Sequence, residues 1–357
     1  MDTLTLQLTA IERLKLFVRR ILAATVFYSG INTLYRFLAR KSQAVVLMYH
    51  RVIDRVDLNR AHFQPGMYVT KEAFEMQMRY LTQHYNVVSL QGFAEIMKSG
   101  NKIPANTCVL TFDDGWKDTY TNVFPILKKY NLPATVFLVS SYIGTDQWFW
   151  PEEVSFLLTK GTENIEIAEA NLNNYPALNR VDFYRIISNP DITLVQKIEM
   201  IIETLKRLDQ EGREKVIDEL RDFLKCGSVP DPSMPLLLSW DKVIEMSRHA
   251  ITFGSHTKTH AILTKVSTHE AIEEIFESKR DIEKRLSSAC LAFCYPNGDY
   301  NNQIKRVVKD HYTCSFTTEQ GFVKQGDDLF AIKRVGIHND ITFTKALFAC
   351  KITGIIA

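Results

Sequence analysis

Two segments of the sequence gather residues capable of hydrolytic chemistry. In T-F-D-D-G at 111–115, an apolar run ends in two adjacent carboxylates and a glycine. Like charges crowded at the end of a strand repel and raise one another's pKa, so such a pair persists most easily where a cation or a proton transfer uses it. A plain surface turn is the competing reading of Asp-Asp-Gly. In S-H-T-K-T-H at 255–260, His256 and His260 stand four residues apart. On a helical turn that spacing puts both imidazoles on one face, within reach of one ion. An isolated H-x-x-x-H is more often two locally hydrogen-bonded histidines. Beside the Asp-Asp strand end it becomes a two-histidine, one-carboxylate set with positions left for water.

The elements that must position these groups are legible from periodicity. Short apolar runs at 44–49, 108–112, 134–139, 251–254, 291–295 and 331–337 predict buried strands. Helical spacing of apolar residues at 71–85, 117–130, 240–249, 268–286 and 301–310 falls between them. Alternating strands and helices predict a parallel α/β fold, with its chemistry at the carboxyl ends of the strands. The alternation lapses over 145–235, where Trp148-Phe149-Trp150-Pro151 leads through an Asn-rich stretch to two helical patterns, 191–210 and 213–225, separated near Gly212. This predicts a helical insertion that leaves through the proline-rich V-P-D-P-S-M-P at 229–235.

Composition narrows the class. The 357 residues, 46% hydrophobic and 24% charged, describe a globular chain long enough for one large barrel or one domain with an insertion. Forty-three basic against 41 acidic residues exclude the strongly basic footprint of a general nucleic-acid binder. The six cysteines include no C-x-x-C, which predicts reduced thiols and a cytoplasmic setting. Residues 1–42 carry a local +5 within a chain of net charge +2. Their apolar stretch between Arg20 and Arg36 is too short to span a bilayer and lacks a signal-peptide cleavage site. Residues 1–42 thus read as a basic amphipathic helix, with two placements open. Either Leu14, Phe17, Ile21 and Phe27 enter the headgroup layer of the inner membrane, or the helix packs on the barrel.

In order and spacing, T-F-D-D-G, S-H-T-K-T-H and F-C-Y-P-N-G at 293–298 resemble the polysaccharide deacetylases (NodB-homology, carbohydrate esterase family four). M-Y-H-R-V at 48–52, L-S-W-D at 238–241 and R-V-G-I at 334–337 extend the resemblance over roughly 44–340. It implies a distorted (β/α) barrel over 43–357 and metal-dependent hydrolysis of N-acetyl groups on amino sugars. Asp114, His256 and His260 would hold a divalent ion, zinc by default with cobalt or nickel as alternatives, and Asp113 would be the general base. The Asn297 backbone N–H would support the oxyanion, with Tyr295 and His50 lining the substrate site. His338 is the nearest match to the family's general acid. One departure is conspicuous: Cys294 stands where many members carry the arginine that orients the base, and Arg334 is the candidate replacement.

The leading expectation is therefore a deacetylase acting on an N-acetylated polysaccharide, or on a lipid- or nucleotide-linked sugar, in exopolysaccharide or lipopolysaccharide synthesis. The alternative is a non-catalytic glycan-binding protein on a decayed barrel, which Cys294 favours and the intact acids and histidines oppose. Aromatic residues Trp148, Phe149, Trp150 and Trp240 read mainly as packing, with Trp148 or Trp240 admitted as sugar contacts.

Overall fold

The computed structural model describes residues 10–58, 64, 66–161, 172, 174–225 and 236–356. The chain divides into two compact units, one holding Leu16–Arg55, Gly66–Thr145 and Pro235–Ala357, the other holding Asp146–Met234 with Met1–Lys15 and Val56–Pro65.

The larger unit is a closed ring of seven parallel strands: β1 (Gln43–Tyr49), β2 (Thr107–Phe112), β3 (Ala134–Leu138), β4 (Ile251–Ser255), β5 (Ala292–Cys294), β6 (Cys314–Gln320) and β7 (Ile332–Gly336). Each pairs with the next, and β1 closes the ring by pairing with both β7 and β2. Six of these were expected. β6 was not, because C-S-F-T-T-E-Q hides a buried strand behind polar residues. Ser315 and Thr317 are almost wholly buried, and their hydroxyls are paired with the Tyr295 phenol and the Ile332 carbonyl.

Side chains alternate across a strand, so each strand gives one set to the barrel interior and the other to the surrounding helices. Val46, Val109, Phe137, Ala292, Cys294, Phe316 and Ile332 form one cluster, with the Phe137 and Phe316 rings 5.4 Å apart. Leu47, Leu110, Phe112, Val136 and Phe293 belong to a second, which they share with helix residues such as Phe74 and Met78. Continuing the first parity by one or two positions leads to His50, Asp113 and Arg334. The interior alternation therefore delivers the polar groups to one end of the ring.

The helices form where periodicity placed them, at Lys71–His84, Phe124–Tyr130 after a π turn, Trp240–Ser247, Thr268–Leu286 and Asn302–His311. Thr70 and Ser267 cap two of them by accepting the N–H of Ala73 and Glu270. The N-terminal segment corrects the expected single helix. It is two consecutive helices, Ala10–Tyr28 and Ile31–Ala39, separated at Gly30, whose φ of 83° belongs to the left-handed region glycine adopts without strain. Ala23 and Asn32 are buried, and the Thr353 hydroxyl donates to Asn32 Oδ1 at 2.7 Å. Phe27 is half-buried beside Tyr80 and so, contrary to the expectation from the sequence, does not share an outward face with Phe17 and Ile21.

In the smaller unit, helices Trp150–Gly161, Leu194–Leu205 and Gln210–Leu224 close on a core that includes Leu157, Leu158, Ile198, Ile202 and Leu220. A Cβ on Gly161 would lie 2.7 Å from Leu224, so the glycine permits that close approach. The helix break falls at 206–209 rather than near Gly212, whose N–H is instead taken by the capping Asp209. The proline-rich exit at 229–235 lies outside the described residues. Trp148 packs edge-on against Phe156, and Trp150 lies under the Arg213 guanidinium. In the larger unit, Trp240 packs on the barrel core. Among the described residues the five cysteines are buried and free; Cys226 lies outside them.

Candidate active site

Three neighbouring strands end level with one another. Tyr49 pairs with Phe112 and Met48 with Gly336, so His50, Asp113 and His338 follow at the same height on β1, β2 and β7. On the far side of the ring, Leu138 pairs with Ser255, and the His256 N–H donates to the Leu138 carbonyl. The acids and histidines separated by some 140 positions in sequence thus meet at the carboxyl end of the barrel.

Asp114 Oδ1 lies 3.4 Å from His256 Nε2 and 3.5 Å from His260 Nε2. One donor atom from each of the three residues falls within 4.8 Å of the others, a convergence that fits a single divalent ion. The surroundings aim these donors. His256 Nδ1 donates to the Cys294 carbonyl at 2.8 Å, which turns Nε2 toward Asp114. The Trp116 indole N–H donates to Asp114 Oδ2 at 2.8 Å, leaving Oδ1 to the histidines. Burial and the neighbouring His256 lower the His260 pKa to about 4, so this imidazole is neutral and able to ligate. Burial alone would raise Asp114; its contacts with His256 and His260 outweigh that and hold it below the usual carboxylate range.

The two histidines converge by another route than the expected helical turn. The 256–260 segment is a loop in which Thr257 and His260 have φ of 65° and 64°. Glu274 fixes it, one carboxylate oxygen accepting the N–H of Lys258 and of Thr259, both at 2.8 Å, and the other the Thr259 hydroxyl at 2.7 Å. Asp114 is itself left-handed at φ 77°, with Gly115 at 84°. Such backbone persists only where its surroundings over-determine it. Here the Gly115 carbonyl accepts the Leu238 N–H, and Lys117 donates to the Leu236 carbonyl, so the segment leading into L-S-W-D braces the acid turn. A Cβ on Gly115 would sit 2.9 Å from Ile143 and Leu138.

Asp113, 1% exposed, is held by Arg334, which is fully buried. The guanidinium donates to Oδ1 at 2.8 Å and to Oδ2 at 2.7 Å, and is itself fixed by the Thr317 carbonyl and the Thr111 hydroxyl. Burial pushes Asp113 up, but Arg334 outweighs it, and the carboxyl lies below its usual range. Arg334 therefore points inward and occupies, from β7, the place that Cys294 leaves without charge. Burial raises the Cys294 thiol, which sits 3.6 Å from Asp113 Oδ2 as donor and 3.1 Å from Arg334 as acceptor. His50 Nε2 is 3.9 Å from Asp113 Oδ2, and burial lowers its pKa, so it adds no charge at neutral pH.

His338 is partly exposed, and its Nδ1 lies 2.9 Å from Asp340 Oδ2. Asn297 is left-handed at φ 58°, with its carbonyl fixed by the Thr318 hydroxyl. Tyr295 is a correction: its ring is fully buried in the core, and its phenol donates to the Phe330 carbonyl, so the side chain is structural rather than a substrate contact. Periodicity gave no sign of Trp116 or of the Arg51–Asp118 pair behind it. Arg51 Nε meets Asp118 Oδ2 at 2.9 Å, and its guanidinium lies over the Trp116 ring at 4.4 Å. The available signal was adjacency, since Trp116 directly follows D-D-G and Arg51 follows His50.

Comparison with known proteins agrees with this geometry. The chain is 22% identical over 294 residues to the putative polysaccharide deacetylase YxkH of Bacillus subtilis, covering 82% of this chain and 70% of that one. It is 34% identical over 113 residues to the poly-beta-1,6-N-acetyl-D-glucosamine N-deacetylase of Staphylococcus epidermidis, a stretch of 29% of this chain and 39% of the relative. Its fold resembles the Streptococcus pyogenes deacetylase PplD in complex with acetate, with TM-score 0.54 at 19% identity over 86% of this chain and 97% of the other. It also resembles IcaB from Ammonifex degensii, with TM-score 0.52 at 17% identity and the same coverage. The polysaccharide deacetylase family profile matches residues 100–313, more than half of the sequence, and the chain belongs to that family of enzymes.

Proposed function

We propose that this protein hydrolyses the N-acetyl groups of an amino-sugar polymer or glycan precursor, releasing acetate and leaving the free amine. The observation that carries the reading is the adjacency of two differently set carboxylates. Asp114 shares one point with two imidazoles, while Asp113, one residue away, is kept ionised by a bidentate arginine. A poly-β-1,6-N-acetylglucosamine chain is the first substrate to test, on the strength of the Staphylococcus epidermidis relative's activity.

In this reading Asp114, His256 and His260 hold a divalent ion, with zinc the ordinary tenant of such a set and cobalt or nickel compatible with it. The ion supplies Lewis acidity, acidifying water and polarising the acyl oxygen. Asp113 takes the proton from the attacking water as the C–O bond forms, and Arg334 keeps the carboxylate aligned for it. The Asn297 backbone N–H supports the developing oxyanion. When the C–N bond breaks, the leaving nitrogen needs a proton, which His338, oriented by Asp340, supplies.

Elemental analysis of the purified protein, together with acetate release from a panel of N-acetylhexosamine glycans, tests the proposal. One divalent ion per chain and acetate release lost in the His256→Ala, His260→Ala double variant are expected. Glycan binding without acetate release from any glycan would favour the non-catalytic alternative.

A further inference from the structure

The two N-terminal helices expose apolar side chains that the barrel does not use. Of the fifteen large hydrophobic side chains exposed among the described residues, ten lie between Leu14 and Leu38. Within the larger unit, Phe17, Ile21 and Leu22 form one stripe on the first helix, and Leu34, Phe37 and Leu38 form one on the second. Phe37 is 66% and Leu38 67% exposed. The opposite faces are pinned. Ala23 and Asn32 are buried, Arg40 Nε donates to the Thr353 carbonyl at 2.8 Å, and Arg36 donates to the His84 carbonyl at 3.2 Å. The outward stripes are thus held in place by the fold, where a loosely attached helix would turn them inward.

Charge identifies the occupant. From residue 16 to residue 53 the sequence contains six basic residues and no acid. Arg20 and Lys41 are exposed. A second copy docking by the same face would oppose like charges, because a two-fold interface sets a patch against itself. An anionic lipid surface would complement the basic residues while accepting the apolar stripes. Among the described residues no helix is long and apolar enough to cross a membrane. We infer that the helical segment Leu16–Ala39 lies on the surface of an anionic bilayer and docks the barrel there through Phe17, Ile21, Leu22, Leu34, Phe37 and Leu38. The inference is independent of the deacetylase reading.

The test is co-sedimentation of the full chain with vesicles of phosphatidylcholine alone and of phosphatidylcholine mixed with phosphatidylglycerol, at low and high salt. The expected result is preferential binding to the anionic vesicles, weakened by salt but not abolished. The variant Phe37→Asp with Leu38→Ser should lower the bound fraction at least about tenfold while leaving the melting temperature and acetate release from a soluble glycan unchanged. Arg20→Gln with Lys41→Gln should remove most of the anionic preference. Equal binding to both vesicle types, or a Phe37→Asp, Leu38→Ser protein that sediments like the parent, overturns the inference. So does a dimer in analytical ultracentrifugation that this variant abolishes, since the face would then be a protein interface.

Discussion

Arg334 and Asp113 form a two-pronged ion pair across the top of the barrel, joining the second strand of the ring to the last, on either side of the first. Both partners are buried, so Asp113 depends on Arg334 to stay ionised, and Arg334 would be left an uncompensated buried charge without Asp113. Removing the arginine alone should therefore be worse than removing both charges.

Arg334→Gln should raise the Asp113 pKa. A base must be ionised to act, so the acid limb of the kcat/KM profile should move to higher pH. The same pair contributes stability that is present above the ordinary carboxylate pKa and is lost as pH falls through the depressed folded value. The variant should lose about 3–5 kcal/mol at neutral pH. Urea unfolding against pH, with Arg334→Gln and Asp113→Asn measured singly and together, checks both statements.

Asp113→Asn keeps the side chain's shape and removes the base. Turnover should fall about 10²–10⁴-fold while ion stoichiometry stays at the parent value. Acetate release near the parent rate would assign proton removal to another group.

Trp116→Phe removes the indole donor from Asp114 Oδ2 and keeps most of the apolar volume. Ion affinity should weaken about 10–100-fold, read by competition with a chromogenic chelator. The apoprotein's thermal midpoint should change far less than the gap between metal-loaded and stripped protein.

His338→Gln tests the proposed acid. Loss of a positioned proton donor should slow turnover about 10²–10⁴-fold while ion stoichiometry stays at the parent value. A parent-like rate of acetate release would place proton donation elsewhere.

What the sequence showed follows what periodicity can carry. Strands such as V-V-L-M-Y at 45–49 announce burial on both faces, and the parity of each leads directly to a polar tip. β6 escaped because hydroxyls satisfied inside a barrel look in sequence like hydroxyls facing water. His256 and His260 were paired correctly but for the wrong reason. Two left-handed residues and the distant Glu274 do the work that a helical turn was expected to do, and no local pattern reports a carboxylate fourteen residues beyond the second histidine. Arg334 could be nominated from the charge missing at Cys294, while its inward aim depends on closure of the ring.

That closure also bears on where the domain can be cut. The stretch matched by the family profile, 100–313, holds Asp113, Asp114, His256, His260 and Asn297, yet it omits β1, β6 and β7. A fragment trimmed to it would carry Asp114, His256 and His260 and still have an open sheet with two raw edges, one of them β2 stripped of its partner β1. It would also carry Asp113 without its counter-charge, Arg334. Any minimal enzyme, fusion or circular permutant must therefore retain Gln43 through Gly336, which reaches well beyond the matched stretch at both ends.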